Sequence, residues 1–335
     1  MTQIVSIQEK IKKILNSSVS AEVYLVFKDS KKGLQFKFSN CENQITEPEI
    51  RQSLIKSLED LISNEDFSIK SLSSSDEFPG ALYHYDYDEK PDDLNKIIDF
   101  IKSTSQINFE LSTKELFNSK KDKLNQLFAF LFVLGTDECK ISLFKKHYPF
   151  CTIKSDKGLF NISDDLLTKY EGNDILRIPE GFDLIIDNDE VYVLNIKMLE
   201  HNLGFKQLIL QQANKAIDWL QSRDLVDEPQ SIRDNTEDIT FSRKLVKMFK
   251  SSPVISLNIS NESLIKFTKN EKELKKLFKY DTDGKRFIVN TKTLRKNLLM
   301  LLNDEFLHSK LTHLNYSSAS KEPITTTNIK APDNN

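Results

Sequence analysis

Glycine is scarce. The chain has eight glycines in 335 residues. No two stand close enough to write G-x-G-x-x-G or a Walker-type loop, so the glycine-loop routes to phosphate are missing. Cysteine is rarer still: Cys41, Cys139 and Cys151 are too few and too scattered for a disulfide framework. Cys139, His147 and Cys151 can be drawn as a metal set, but no paired C-x-x-C supports it, and no metal is expected. The five histidines are dispersed. Neither H-E-x-x-H nor G-x-S-x-G occurs, and the five-residue step from His308 to His313 does not put both on one helix face. Long apolar runs are also absent. The longest, Leu127 to Leu134 (LFAFLFVL), is far short of a membrane span. The N-terminal MTQIVSIQEKIKKIL lacks the apolar stretch of a secretory signal, so a cytoplasmic protein is expected.

Charge is what the chain has in quantity, and it is unevenly placed. With 39% hydrophobic and 29% charged residues it reads as soluble and globular, and its length allows two domains. The formal net charge of -3 conceals two opposed segments. Residues 41–100 carry 15 acidic and 5 basic side chains, a net of -10, whereas residues 241–300 carry 5 acidic and 15 basic, a net of +10. Such segregation suggests one region built for an anionic partner and another that avoids it. Two ordinary solvated surfaces in a lysine-rich chain are the plain alternative.

Periodicity divides the chain into an α+β order. A helix is expected over 3–16, with Ile4, Ile7, Ile11 and Ile14 on one side. AEVYLVF (21–27) and GLQFKFS (33–39) read as strands joined by DSKK, and EPEIRQSLIKSLEDLIS (47–63) as a helix with Pro48 just inside its start. LSSSDEFPG (72–80) is a loop, ALYHYDYD (81–88) strand-like, and PDDLNKIIDFIKS (91–103) another amphipathic helix. A domain boundary is expected where Ser, Asn and Lys dominate 112–123. This gives an acidic α/β unit over 1–112 and a domain of mixed sheet plus helices over 123–316. Residues 317–335 form a Ser-, Thr-, Asn- and Pro-rich tail expected to be disordered. The second part opens with the strands 126–135 and 139–148, then a short SDDLLTKY helix. Helices follow at 204–222, 241–249, 262–279 and 291–303, with KRFIV (285–289) as a strand before the last.

Residues 177–200 (RIPEGFDLIIDNDEVYVLNIKMLE) form the one segment with a chemical motif. An acid, two strand-like runs and then Asn-Ile-Lys approach the acid, acid-x-Lys core of metal-dependent nucleases, with Asn195 where the second acid would stand. A three-residue loop (188–190) places Asp183 opposite Asn195 and makes Phe182, Leu184, Ile186, Tyr192, Leu194 and Ile196 a uniformly apolar face. A two- or four-residue loop slips the register by one and puts Asp183 among Tyr192, Leu194 and Ile196, mixing the faces. With the three-residue loop, Asp183, Asn195 and Lys197 cluster. In a nuclease two carboxylates hold Mg²⁺ and the Lys steadies the attacking water. Asn195 brings an oxygen but no charge, and Glu171, Glu180 and Glu200 are unplaced substitutes. Three readings stay open: a plain hairpin, a nuclease-like core kept for DNA binding, and active Mg²⁺-dependent cleavage.

FAFLFVLG with CKISLFKK, the DDLL segment, the I-x-x-x-F-D-x-I strand and VYVLNIKMLE together resemble the KwaB-like family of the Kiwa anti-phage defence system. NDEFLHSKLT…YSSASKEPI (303–324) has the look of that family's ending. The resemblance covers roughly 110–325. It implies a cytosolic DNA-binding effector working beside a small multi-spanning membrane partner, KwaA, and assigns no reaction. Recruitment to the inner face of the cell membrane through that partner and a homo-oligomer, most simply a dimer, are the further expectations. The residues agree on DNA. Arg243, Lys244, Lys247, Lys250, Lys266, Lys269, Lys272, Lys275, Lys276, Lys279, Lys285, Arg286, Arg295 and Lys296, with Lys197, form the candidate phosphate-binding set. Lys outnumbers Arg among them, which suits backbone contact better than guanine readout. Phe267, Phe278 and Tyr280 are the aromatics available for base stacking. The alternatives in other classes are a metal-dependent nuclease using Asp183 and Lys197, and a scaffold that docks on a membrane protein without DNA.

Overall fold

Ser6 opens the first helix with a reciprocal cap: its hydroxyl accepts from the Glu9 amide while the Glu9 carboxylate accepts from the Ser6 amide. Behind it α1 (Ile7–Leu15) buries Ile7, Ile11 and Ile14 along one stripe. The structure, a computed structural model, describes residues 6–41, 46–73, 80–105, 114–118, 120–136, 138–153, 160–163, 166–169, 175–308 and 315–317. Strands β1 (Ser20–Asp29) and β2 (Gly33–Phe38) meet at the DSKK turn, where the Lys31 and Lys32 amides donate to the Asp29 carboxylate. Then come α2 (Thr46–Ser63), β3 (Ser68–Ser71), β4 (Ala81–His84) and α3 (Asp92–Ser105). The buried pair is β5 (Leu127–Gly135) and β6 (Lys140–Lys146). Four short strands follow: β7 (Thr152–Ile153), β8 (Phe160–Ser163), β9 (Leu166–Lys169) and β10 (Ile175–Leu176). The motif segment forms β11 (Leu184–Asp187), β12 (Glu190–Val193) and α4 (Ile196–Asn202).

Eight strands make one mixed sheet in the order β2-β1-β5-β6-β11-β12-β4-β3, with β3 and β4 the parallel pair. The α+β class expected from the sequence is what forms. Strands β5, β6, β11 and β12 are the middle of the sheet, and strands from the first hundred residues extend it on both sides. On one side β1 pairs with β5 from Ser20↔Gly135 to Phe27↔Leu127; on the other β4 pairs with β12 through His84↔Tyr192. Residues 112–123, where a boundary was expected, therefore fall within the stretch that builds a single sheet. The chain divides instead into a first unit ending at Lys206 and a second beginning at Gln207.

The register of β11 with β12 corrects the expected one. The pairs are Leu184↔Val193, Ile185↔Tyr192, Ile186↔Val191 and Asp187↔Glu190, so the loop has two residues, Asn188 and Asp189, with Asn188 at φ 54°. The three-residue loop was inferred from a clean apolar face, but this pair lies inside the sheet and is covered on both faces. Ile185 joins the core of Ile7, Ile11, Leu54, Leu58, Val23 and Phe132, while Leu184, Ile186, Val191 and Val193, pointing the other way, are also fully buried. Alternation carries no register information where neither face meets water.

Three further expectations change. Where a helix was expected at SDDLLTKY (163–170), the described residues Ser163 and Leu166–Lys169 are strand, β8 and β9 pairing antiparallel, as suits a segment too short to hold an isolated helix. The helix expected over 262–279 stops at Asn270 and gives way to a 3₁₀ turn, Leu274–Lys276. Continued, it would carry Glu271, Lys272 and Lys275 onto the face of buried Leu264, Ile265 and Thr268. KRFIV makes only single bridges, Phe287 with Val226 and with Tyr280. The tail beyond Ser317 lies outside the described residues.

The second unit is mainly helical: all but the first two residues of α5 (Phe205–Ser222), then α6 (Gln230–Arg233), α7 (Ile239–Ser251), α8 (Pro253–Ser256), α9 (Asn261–Asn270) and α10 (Lys292–Leu302), then β13 (Phe306–His308) and β14 (Asn315–Ser317). Asp238, Ser252, Ser260 and Thr291 each accept an amide at the start of α7, α8, α9 and α10.

The β5–β6 turn is the tightest point of the sheet. Gly135 sits at φ 149°, and a Cβ there would meet the Cys139 carbonyl oxygen at 2.1 Å and Lys140 Cα at 2.5 Å. Gly181, at φ 75°, has nothing within 4 Å of that position. Gly135→Ala is expected to lower stability by about 2–4 kcal/mol, combining backbone strain with a clash against backbone atoms. Gly181→Ala is expected to cost only the left-handed strain, about 1 kcal/mol. Urea unfolding of the two variants against the parent checks the difference.

Candidate functional site

Asp183 immediately precedes β11 and is 4% exposed. A carboxylate this deep needs donors, and it has them. Oδ2 accepts from the Lys146 amide at 2.8 Å and Oδ1 from Asn195 Nδ2 at 2.9 Å. The Asp183 amide donates to the Phe144 carbonyl, and its own carbonyl accepts from the Leu194 and Asn195 amides. The expected meeting of Asp183 and Asn195 is therefore observed, by a different route. They are not cross-strand partners. The strand ends at Val193, the chain turns, and Asn195 becomes the N-cap of α4, its Oδ1 accepting from the Met198 amide at 3.0 Å. One amide group thus serves two neighbours, donating to Asp183 and capping a helix.

Lys197 does not join them. It lies exposed in the first turn of α4, and no contact links it to Asp183 among the described residues. Glu200 is buried in the same helix, Glu180 is exposed, and Glu171 lies outside the described residues. The sequence carried the signal that was missed: Asn195 ahead of Ile196, Leu199 and Leu203 is a cap followed by helical spacing. Among the described residues no three His, Cys, Asp or Glu side chains converge as a metal site.

The acidic turn of the hairpin is bonded by side chains of α1, β4 and α3. Lys10 of α1 bonds Asp187 at 2.5 Å, Lys102 of α3 pairs with Asp189, and His84 of β4 bonds Glu190. Beside Asp183 stand three perturbed groups, of which Tyr148 is raised by burial and then by Asp183 itself. Burial, together with Lys28, holds the Lys146 ammonium below the usual lysine range, against the pull of Asp183. Its Nζ donates to the carbonyls of Phe128 and His147. Burial and then Lys146 hold His147 below its usual value; its Nε2 meets Thr152 Oγ1 at 2.9 Å.

The basic set divides by residue type. Arg295 is buried and donates to the Val289 carbonyl and Asn235 Oδ1, both at 3.1 Å. Arg243 is buried in α7. Arg286 bonds Asp281 at 2.9 Å, with Asp224 and Asp227 within 3.6 Å; that bond and the three carboxylates raise its already high pKa. These arginines hold the second unit together and do not stand free for a ligand. The lysines face water: Lys244, Lys266, Lys269, Lys272, Lys275, Lys276, Lys279, Lys285 and Lys296 are exposed, and Lys247 and Lys250 are half-buried. Lys269 donates to the Gly284 carbonyl at 2.8 Å and lies 4.7 Å from the Tyr280 ring. Lys276 pairs with Glu273. Of the aromatics, Phe278 is buried against Phe287 and Phe306, Tyr280 is half-buried and Phe267 is 43% exposed.

Fold and site together define an α+β protein in which a buried acid–amide pair joins two strands to a helix start and lysines dominate the exposed cations of the second unit. The family described as Kiwa protein KwaB-like matches residues 124–312, more than half of the chain, and the chain belongs to that family. Kiwa protein KwaB of Escherichia coli O55:H7 (strain RM12579 / EPEC) is 27% identical over 329 residues, covering 95% of this chain and 98% of its own length. The match places the chain in Kiwa anti-phage defence. No solved structure matches it. Among the described residues no helix is long and apolar enough to cross a membrane.

Asn195→Asp separates the two roles of this residue. Aspartate caps helices as well as asparagine does, so capping alone predicts no change. The second carboxylate instead removes a donor from Asp183 and sets charge against charge, and the variant is expected to lose about 2 kcal/mol or more. Thermal unfolding at neutral pH checks it, with added Mg²⁺ as the second arm. Rescue by Mg²⁺ would mean that the pair can open into a metal site.

Proposed function

We propose that this chain serves Kiwa defence by binding DNA through its phosphate backbone, without reading sequence, in concert with a membrane-embedded partner of the KwaA type. The observation that carries the DNA half is the run Lys272, Lys275, Lys276 and Lys279, four exposed ammonium groups within eight residues. The pairing of Lys276 with Glu273, both well over half exposed, is too weak to withhold that cation from a phosphate. Lys266, Lys285 and Lys296 extend the same exposed charge. Lysine is a point charge on a flexible stem, suited to tracking a backbone and poorly suited to bidentate base recognition. Mg²⁺-dependent cleavage is not part of the proposal. Both Asp183 oxygens and the Asn195 oxygen already accept hydrogen bonds, Asp183 is almost fully buried, and Asn195 brings no second negative charge for a divalent cation.

Binding is expected to be independent of sequence and steeply salt-dependent. Four phosphate contacts correspond to a loss of roughly 100-fold between 50 and 200 mM salt. Changing Lys272, Lys275, Lys276 and Lys279 together to Glu is expected to remove most duplex binding in a gel shift while leaving the unfolding curve unchanged. Equal affinity in the reversed protein would remove this surface from the proposal. Duplex DNA is expected to stay intact with or without Mg²⁺ or Mn²⁺.

The acidic region is proposed to meet the partner. Cytosolic loops of membrane proteins carry excess Lys and Arg, and Glu49, Glu59, Asp60 and Glu65 are exposed on and just after α2. Removing residues 1–110 cannot test this, because it strips β1 from β5. Changing these four residues to Lys tests it instead. The variant is expected to lose co-sedimentation with membranes that contain the partner and to keep its DNA affinity. Undiminished membrane association would leave this face without a role in docking.

A further inference from the structure

The first unit holds an open pocket of about 440 Å³ between β2 and α3, a volume within the range of small-molecule sites. It is distinct from the Asp183 pair and contains none of the residues of the basic second unit. Its walls carry three lysines, Lys32, Lys37 and Lys114, against one acid, Glu115. That balance is the reverse of the neighbouring stretch 41–100, whose net is -10. Part of the wall is aromatic. Phe36 and Phe100 stack with centroids 4.1 Å apart and planes 6° apart, and both residues line the pocket.

The lysines differ in what holds them. The Lys114 side chain is 3% exposed, bonds Glu22 at 2.7 Å and lies 4.3 Å from the Phe38 ring, so its charge is fixed in place. The Lys37 side chain is 10% exposed, yet its partner Glu115 is 71% exposed. A buried ammonium must keep a counter-charge, but an exposed carboxylate gives up such a bond at little cost because water resolvates it. An incoming anion can therefore take the place of Glu115 on Lys37. Lys32 stands exposed at the rim. A lone inorganic anion would leave most of this volume and the aromatic wall unused, and an apolar ligand would make no use of exposed Lys32 or of the displaceable Lys37–Glu115 pair.

We propose that this pocket binds a nucleoside phosphate, with the base against the Phe36 and Phe100 rings and the phosphates on Lys37 and Lys32. Glycine loops are not needed for this, since side-chain ammonium groups supply what backbone amides supply elsewhere. The site is independent of the DNA reading, and the experiment keeps the two apart. Calorimetric titration of the full chain with ATP is expected to give one saturable site, with adenosine and pyrophosphate each binding about tenfold or more weaker. Lys37→Met is expected to weaken ATP binding about tenfold or more. Lys32→Glu, at an exposed position that cannot endanger the fold, is expected to weaken it several-fold. Phe36→Leu is expected to weaken ATP binding but not pyrophosphate binding. The protein with Lys272, Lys275, Lys276 and Lys279 changed to Glu is expected to bind ATP as the parent does. No saturable binding, undiminished affinity in Lys32→Glu, pyrophosphate as tight as ATP, or loss of ATP binding in the four-lysine variant would each overturn the assignment.

Discussion

A buried carboxylate has to be satisfied, and much of this site follows from how Asp183 is. Its two oxygens draw on the Lys146 amide at the end of β6 and on the Asn195 side chain at the start of α4. Its backbone pairs with Phe144 on one side and with Leu194 and Asn195 on the other. One residue thus joins two strands and a helix start. The same demand explains the amide at position 195. An acid there would cap α4 equally well but would bring a second negative charge within hydrogen-bond distance of the first. The second position of the acid, acid-x-Lys pattern is thus occupied by a residue with two structural bonds, one to Asp183 and one to the start of α4.

The first hundred residues are built around that centre. Their strands flank the β5-β6-β11-β12 core on both sides, and Lys10, His84 and, just beyond them in α3, Lys102 bond the three carboxylates of the β11–β12 turn. Without those partners the turn would concentrate Asp187, Asp189 and Glu190 at one point of the sheet. The family match begins at residue 124, just before β5. The sheet of this chain begins more than a hundred residues earlier, and the match over the length of the Escherichia coli protein spans both parts.

Local structure was legible in the sequence wherever one face of an element meets water. The stripes of α1 and α3, the long α5 and the hairpin of β1 with β2 follow from spacing and turn residues alone. Long-range pairing was not. Nothing near Ser20 announces Gly135, and nothing near His84 announces Tyr192, so a sheet assembled from distant segments reads as two domains. The β11–β12 register failed for a related reason: burial on both faces erases the alternation that would have fixed it. At the site, Asp183 and Asn195 were found and their contact was correct, but following the motif carried the second strand through Lys197 and past a cap signal at Asn195.

The basic segment illustrates how little a charge count says until the side chains are placed. Of its fifteen cations, three are arginines, and the structure uses the forked guanidinium groups of Arg286 and Arg295 to bind carboxylates, carbonyls and an amide within the second unit. A planar group with five donors repays burial because several bonds form at once, whereas an ammonium strongly prefers water. Residue chemistry therefore biases the segment: Arg243 and Arg295 are buried, Arg286 is half-buried among three carboxylates, and most of the lysines are exposed. The exposed charge is smaller than the net of +10 suggests, but it is almost purely lysine. Such a surface attracts any phosphate backbone and discriminates poorly among bases, and the segregation follows from folding energetics before any demand of DNA is considered.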